Sequence, residues 1–382
     1  MKTLSTSRLF VALGAPVLAL AAAAVLCGCG ESPTGSGGSA AASANASLTI
    51  GFIYVGSKDD YGYNQAHAEG AAAVKKMPGV KVLEVEKVPE TVDVQKTMKS
   101  MIEDDNAKLI FPTSFGYFDP HVLTVAKEYP NVMFLHCGGL WNKDKHPMNV
   151  GSYFGYIDEC EYICGIVAAH ATKSKKLGFV AAKPIPQVRR NINAFTLGAR
   201  SVDPSITCTV IFTGDWSMPV KESEAATSLI NQGADVLTCH VDSPKVVIET
   251  AERRGIHCTG YHCSQAVLAP NGYLTGAEWN WQKVYTAYVK DIQEGKKVPN
   301  LVRGGIKEGI VKMSPYGKDV SDDTKKAADA VKAKFMDGSF VIFKGPLKDN
   351  TGKEIIAAGK EYPQTAIELE SMGYLVEGVS GE

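Results

Sequence analysis

The sequence is poor in the signals that mark nucleic-acid binding, membrane spanning and the common catalytic motifs. Its 40 Lys and Arg nearly balance 41 Asp and Glu, for a net charge of −1. No long basic run occurs, so charge argues against a nucleic-acid partner. Past the N-terminal apolar run, no hydrophobic segment reaches membrane length. A Gly-rich phosphate loop of the P-loop type is missing, as are H-E-x-x-H and Gly-x-Ser-x-Gly. That removes the motif grounds for an NTPase, a zinc protease or a serine hydrolase. Zinc sites need paired short cysteine spacings with histidines, a pattern these cysteines do not offer. Neither a metal nor a cofactor is expected. Seven cysteines follow Cys29, an odd number. Cys160 and Cys164 lie one helical turn apart on an apolar face. Cys258 and Cys263 flank the end of a strand, where a disulfide stays open as an alternative to free thiols.

What is present begins with a leader. Lys2 and Arg8 flank the start of an apolar run, Leu9 to Leu26, which ends in Leu26-Cys27-Gly28-Cys29. Small residues before a cysteine resemble the signal of a bacterial lipoprotein. Residues 1–28 therefore read as a signal peptide, with Cys29 as the lipidated first residue of the mature chain. Lipid on Cys27 is the runner-up, and an uncleaved membrane anchor the third reading. Residues 29–47, rich in Gly, Ser and Ala, read as a flexible tether. The remaining length suits two domains, and a hydrophobic content of 45% supplies their cores.

The folded part is organised around Leu48 to Lys76. An apolar run to Val55 leads through a polar loop, Gly56 to Gly62, into an alanine-rich helix starting near Tyr63. This is the first half of a βαβ unit. Strand and helix then alternate, with strands at 80–88, 107–111 and 132–136. A second series starts at Leu177, with strands at 207–212, 235–239 and 257–261. The pattern predicts an α/β protein of two lobes, each a doubly wound parallel sheet flanked by helices. Residues 48–168 with 274–302 are assigned to the N-terminal lobe, and 169–273 with 303–382 to the C-terminal lobe. A long helix, Trp279 to Glu294, returns the chain to the first lobe, and Gly304-Gly305 bends it back. The tail reads as a hairpin over 341–356 and a short helix within 361–373. Ligands of open α/β sheets sit at the carboxyl ends of the strands, here in the cleft between lobes.

Particular stretches narrow the reading. They are Gly51-Phe52-Ile53 leading to Asp60-Tyr61-Gly62-Tyr63-Asn64-Gln65, then Glu69-Gly70, Gly155 to Ala169, Gly233 to Leu237 and Phe340 to Lys353. Together they resemble the BMP (basic membrane protein, PnrA-like) substrate-binding lipoproteins of ABC transporters, over essentially the whole mature chain. The resemblance implies a two-lobed periplasmic-binding-protein type I fold. It implies a purine nucleoside held between two aromatic rings, with polar side chains on its edge and ribose. It also implies permease and ATPase subunits as partners, and lipid anchoring on the extracytoplasmic side of a bacterial cell envelope. Tyr63 and Asn64 stand at the family's Phe-Asn pair, Trp216 in the segment of the second stacking aromatic, and Phe115 in a third strand-end loop. Two positions depart: His262 replaces a ribose-facing aspartate, and Trp279 a lysine that contacts the sugar. Ribose hydroxyls left unpaired would cost roughly 1–3 kcal/mol each. The expected ligand is therefore a purine nucleobase or similar flat heterocycle.

Nine residues are the candidate ligand contacts: Asp60, Tyr61, Tyr63, Asn64, Phe115, Trp216, Asp242, His262 and Trp279. Plain structural roles compete with several. Asp60 equally caps the helix after it, and Asp242-Ser243-Pro244 the next helix along. His262 either donates to a carbonyl of the base or fills a loop. Of Trp279 and Trp281, one faces the cleft and the other the core. The expected function is a substrate-binding lipoprotein of an ABC importer, not an enzyme. It would capture a purine base and deliver it to the permease. The alternatives are a nucleoside-binding lipoprotein of the same class and a ligand-sensing lipoprotein without transport.

Overall fold

A computed structural model describes residues 47–381. The signal peptide, Cys29 and residues 30–46 lie outside the described residues. The first lobe holds β1 (Leu48–Ile53), α1 (Tyr63–Val74), β2 (Val80–Val85), α2 (Val92–Glu103), β3 (Leu109–Pro112), α3 (Leu123–Glu128), β4 (Met133–Cys137) and β5 (Val150–Gly155). Its sheet runs β2-β1-β3-β4-β5 and is parallel throughout. Such a sheet is covered on both faces and needs continuous apolar strands. Accordingly, β3 is buried at every position. Thr91 caps α2, its side chain accepting from the Asp93 N–H at 3.3 Å.

The second lobe begins with α4 (Asp158–Ala171), β6 (Lys176–Ala181), α5 (Pro186–Val202), β7 (Thr207–Phe212), α6 (Pro219–Asn231), β8 (Val236–His240), α7 (Lys245–Arg253), β9 (His257–His262) and β10 (Tyr273–Trp279). Then α8 (Trp281–Gln293) packs on α1, and β11 (Leu301–Gly304) joins β5 in the first sheet. The chain returns through β12 (Val311–Met313) and α9 (Asp322–Asp337). The second sheet runs β12-β10-β9-β8-β6-β7, with Val379–Ser380 on its outer edge and only β12 antiparallel. The helices α4 and α5 touch backbone to backbone. A Cβ on Gly165 would overlap the Phe195 carbonyl, and one on Gly198 the Tyr162 carbonyl.

Three segments cross between the lobes: β5 to α4, β10 to α8, and β11 to β12. Two expected boundaries move. The helix α4 belongs with the second lobe, because α5 is its packing partner. Residues 274–279, expected in the first lobe, belong instead to a wholly buried strand of the second sheet, Tyr273–Trp279. The helix starts at Trp281, so Trp279 ends a strand. In the tail the expected hairpin over 341–356 is shorter: Leu347–Lys348 pairs with Glu354–Ile356, while Phe343–Lys344 pairs instead with Glu361–Tyr362, and the last helix spans only Ile367–Glu370. All seven described cysteines are buried and unpaired, Cys258 and Cys263 included. Among the described residues, no helix is long and apolar enough to cross a membrane.

Candidate functional site

The carboxyl ends of the two sheets enclose a cavity of about 640 Å³, an ordinary size for a small-molecule site. Apart from Glu370 of the tail, the walls are strand ends and the segments that follow them. The first lobe contributes Tyr63, the loop Ser114–Asp119 after β3, Cys137–Leu140 after β4, and Phe154. The second contributes Gln187, Trp216, His240, Asp242, His262 and Trp279, and the tail adds Glu370. Six of the nine expected residues thus border the cavity: Tyr63, Phe115, Trp216, Asp242, His262 and Trp279. Phe115 stands at the mouth, 56% exposed.

Asp60, Tyr61 and Asn64 do not border it. The Asp60 carboxylate accepts from the backbone N–H of Gly62 (2.8 Å), Asn64 (3.1 Å) and Gln65 (3.0 Å), and from Asn64 Nδ2 (2.8 Å). It therefore caps α1. Asn64 Oδ1 accepts from the Gly56 N–H at 3.1 Å, which pins the loop. Tyr61 adopts a left-handed φ of 56°, and its carbonyl accepts from Gln265 Nε2 at 2.7 Å. That bond crosses between lobes, and two more lie beside it. The Tyr63 N–H donates to the Asp242 carbonyl at 2.8 Å, and Ser243 Oγ donates to the Asp60 carbonyl at 2.7 Å. The polar loop is thus tied to the second lobe by three hydrogen bonds, which together form a latch across the cleft.

Most polar edges around the cavity are already engaged. The Trp279 indole N–H, which can only donate, meets His262 Nδ1 at 2.8 Å. His262 Nε2–H therefore donates to the Val241 carbonyl, 3.1 Å away. Both ring nitrogens are occupied, so the expected donation from His262 to a base is not on offer. Burial holds this imidazole well below its ordinary pKa and therefore neutral. His240 is similarly held by Asn191 Nδ2 (3.1 Å) and the Tyr261 hydroxyl (3.4 Å), and burial lowers it to about 3. The Tyr63 hydroxyl donates to the Thr113 carbonyl at 2.5 Å, and Ser114 Oγ to Glu90 at 2.6 Å.

Asp242 differs. Among the described residues, no hydrogen bond or ion pair reaches its carboxyl oxygens, although its own N–H donates to the Trp216 carbonyl at 2.7 Å. Burial, then the charges of Asp60, Glu90 and Glu222, push its carboxyl well above the ordinary range, with Lys183 opposing. The walls themselves are aromatic in both lobes. Trp216 lies 6.3 Å from the His240 ring, with Lys183 Nζ 5.0 Å from its centroid. Tyr63 stands edge-on to His262 at 5.3 Å. Trp279 stacks on Trp281 at 4.7 Å and meets Phe154 at 5.2 Å. His240, Cys137 and Phe154 were not anticipated, yet each sits at or near a strand's carboxyl end, where the strand-end rule points. Glu370 arrives from the tail with no local signal.

The model of the family described as ABC transporter substrate-binding protein PnrA-like matches residues 47–345. A purine-binding protein of Brucella abortus is 36% identical over 334 residues, 87% of this chain and 93% of that protein. A putative ABC transporter glucose-binding protein of Haloferax volcanii is 29% identical over 331 residues, 87% and 80% of the two. An ABC transporter solute-binding protein from Conexibacter woesei superposes with a TM-score of 0.65 at 21% identity, over 77% of this chain and 97% of its own. That likeness concerns the fold, the two-lobed periplasmic-binding type I architecture. By the span of the family match and the Brucella relative, the chain belongs to the PnrA-like family of ABC transporter substrate-binding proteins.

Proposed function

We propose that the protein captures a purine nucleobase, or a closely related flat heterocycle, in the interlobe cleft and delivers it to an ABC permease from a lipid anchor at Cys29. The observation that carries the base over the nucleoside is the 2.8 Å hydrogen bond from Trp279 to His262. These two residues occupy the positions expected to serve a ribose, and they satisfy each other instead. A sugar placed there would leave hydroxyls unpaired in a dry site, at roughly 1–3 kcal/mol each. The same argument weighs against a hexose, which carries more hydroxyls still. A base without sugar needs flat apolar walls and few polar partners. Tyr63, Trp216, Phe154 and Trp279 supply such walls, and aromatic stacking adds about 0.5–1.5 kcal/mol per pair beyond area burial.

The walls come from both lobes, so a bound ring favours the closed form. Titration calorimetry with adenine, guanine, hypoxanthine, xanthine and their ribosides tests this reading. Bases are expected to bind more tightly. A riboside that wins by tenfold, about 1.4 kcal/mol, overturns the preference for bases. Uptake assays with the neighbouring permease deleted separate transport from sensing: lost purine uptake supports transport.

A further inference from the structure

Three acids, Asp119, Asp242 and Glu370, line the cavity, and no Lys or Arg does. An anionic ligand such as a phosphorylated nucleotide would meet repulsion and no partner there. Among the acids, Asp242 stands out by its surroundings. Its backbone is fixed on both sides, by the Trp216 carbonyl at 2.7 Å and the Tyr63 N–H at 2.8 Å. The residue borders the cavity between the aromatic walls, and its carboxyl is free of protein partners among the described residues.

The groups that face Asp242 come from every neighbouring element. Asp60 and Glu90 approach from first-lobe loops, Glu222 from α6 and Lys183 from the loop after β6. Lys183 is held by Asp215 at 2.8 Å. His240 and His262 line the same wall and are neutral. A further negative charge beside three acids, with the nearest lysine already held by Asp215, has little to stabilise it.

Building on the purine reading above, we infer that Asp242 meets its ligand as a neutral carboxylic acid. It would offer one O–H donor beside one carbonyl acceptor to a ring edge with an acceptor nitrogen next to an N–H. Adenine presents that pair, a ring nitrogen beside its exocyclic amine. A carboxylate would instead select two adjacent donors and would repel the ring-nitrogen lone pair. The proton stays on Asp242 during binding, so adenine affinity falls once pH exceeds the carboxyl's pKa, approaching tenfold per pH unit.

The test is calorimetry of adenine binding from pH 5 to 9, on the wild type and on Asp242→Asn. An asparagine carries the same donor and acceptor but cannot ionise. The variant is expected to bind adenine within about threefold of the wild type at low pH, and to lose the pH dependence. Loss of adenine binding by more than a hundredfold in Asp242→Asn, with the fold intact by circular dichroism, identifies a carboxylate reader and overturns the inference. A flat wild-type pH profile across that range, with Asp242→Asn binding less tightly, does the same. If the wild type binds no purine at all, the ligand class fails and this inference falls with it.

Discussion

Gly62 and Asp242 meet across the cleft with no room between them: a Cβ on Gly62 would overlap the Asp242 carbonyl oxygen and crowd the Pro244 ring. The neighbouring Tyr63 N–H bonds that same carbonyl at 2.8 Å. Gly62→Ala should therefore push the lobes apart at the latch while leaving both sheets intact. The apparent Kd is the intrinsic value divided by the closed fraction. We expect at least tenfold weaker binding, a larger radius of gyration by X-ray scattering, and a nearly unchanged melting temperature. Wild-type affinity in this variant would mean that closure does not depend on the latch.

Trp216 is the second-lobe aromatic wall, carried on the loop after β7 and only partly buried. Trp216→Ala should weaken binding at least tenfold with little loss of fold. Ligand-induced tryptophan fluorescence change should shrink in Trp216→Phe. Normal binding by Trp216→Ala would move the stacking to Phe154 or Trp279.

The Trp279–His262 pair predicts a specificity switch. The double variant His262→Asp, Trp279→Lys restores the two residue types that the family resemblance places near ribose. Asp tolerates the left-handed φ of 74° at position 262 better than most side chains. Adenosine should gain on adenine by tenfold or more in competition calorimetry. An unchanged ratio would show that the sugar lies elsewhere.

Glu159, at the start of α4, accepts from the Ile306 N–H at 2.7 Å and from Gln364 Nε2 at 3.1 Å. It thus ties α4 to the third crossing segment. Burial outweighs those bonds and raises its pKa from 4.5 to about 7. A folded pKa above the unfolded one gives stability that is complete below about pH 4.5 and lost as pH rises towards 7, by at most about 3 kcal/mol. Glu159→Gln keeps an acceptor for Ile306 and cannot ionise. Its urea midpoint should change less with pH across that window than the wild type's. Parallel profiles would show that the carboxyl titrates normally.

The anchor is tested separately. Cys29→Ala should abolish metabolic labelling with a fatty acid and release a soluble or uncleaved form. Persistent labelling would place the lipid on Cys27.

Much of this architecture was legible in the sequence, for a physical reason. Parallel strands buried on both faces are short apolar runs, and Leu48–Ile53, Leu109–Pro112 and Val236–His240 announce themselves that way. Tyr63, Trp216 and Asp242 follow strand ends, so the cavity's main walls were legible too. The α4 boundary was not, because a helix buried on nearly every face shows no single apolar stripe to reveal which lobe packs on it. Nor was the bond between His262 and Trp279. It depends on the register that sets Glu278 beside His262 in adjacent strands. Asp60 and Asn64 carry side chains that suit a cap and a contact equally, and only the fold distinguishes the two.

The buried cysteines have a consequence for how the molecule meets oxidants. Among the described residues seven thiols, an odd set with no bridges, are buried once the chain is folded, the most exposed, Cys263, at only 4%. Burial pushes the Cys137 thiol, the one beside the cavity, up to about 12, so the reactive thiolate is scarce even there. Folding itself is then the protection against oxidants. The hazard falls in the interval before the core closes, when seven unpaired sulfurs can cross-link at random. A chain that opens later would enter the same hazard, so oxidative loss becomes a clock for global unfolding.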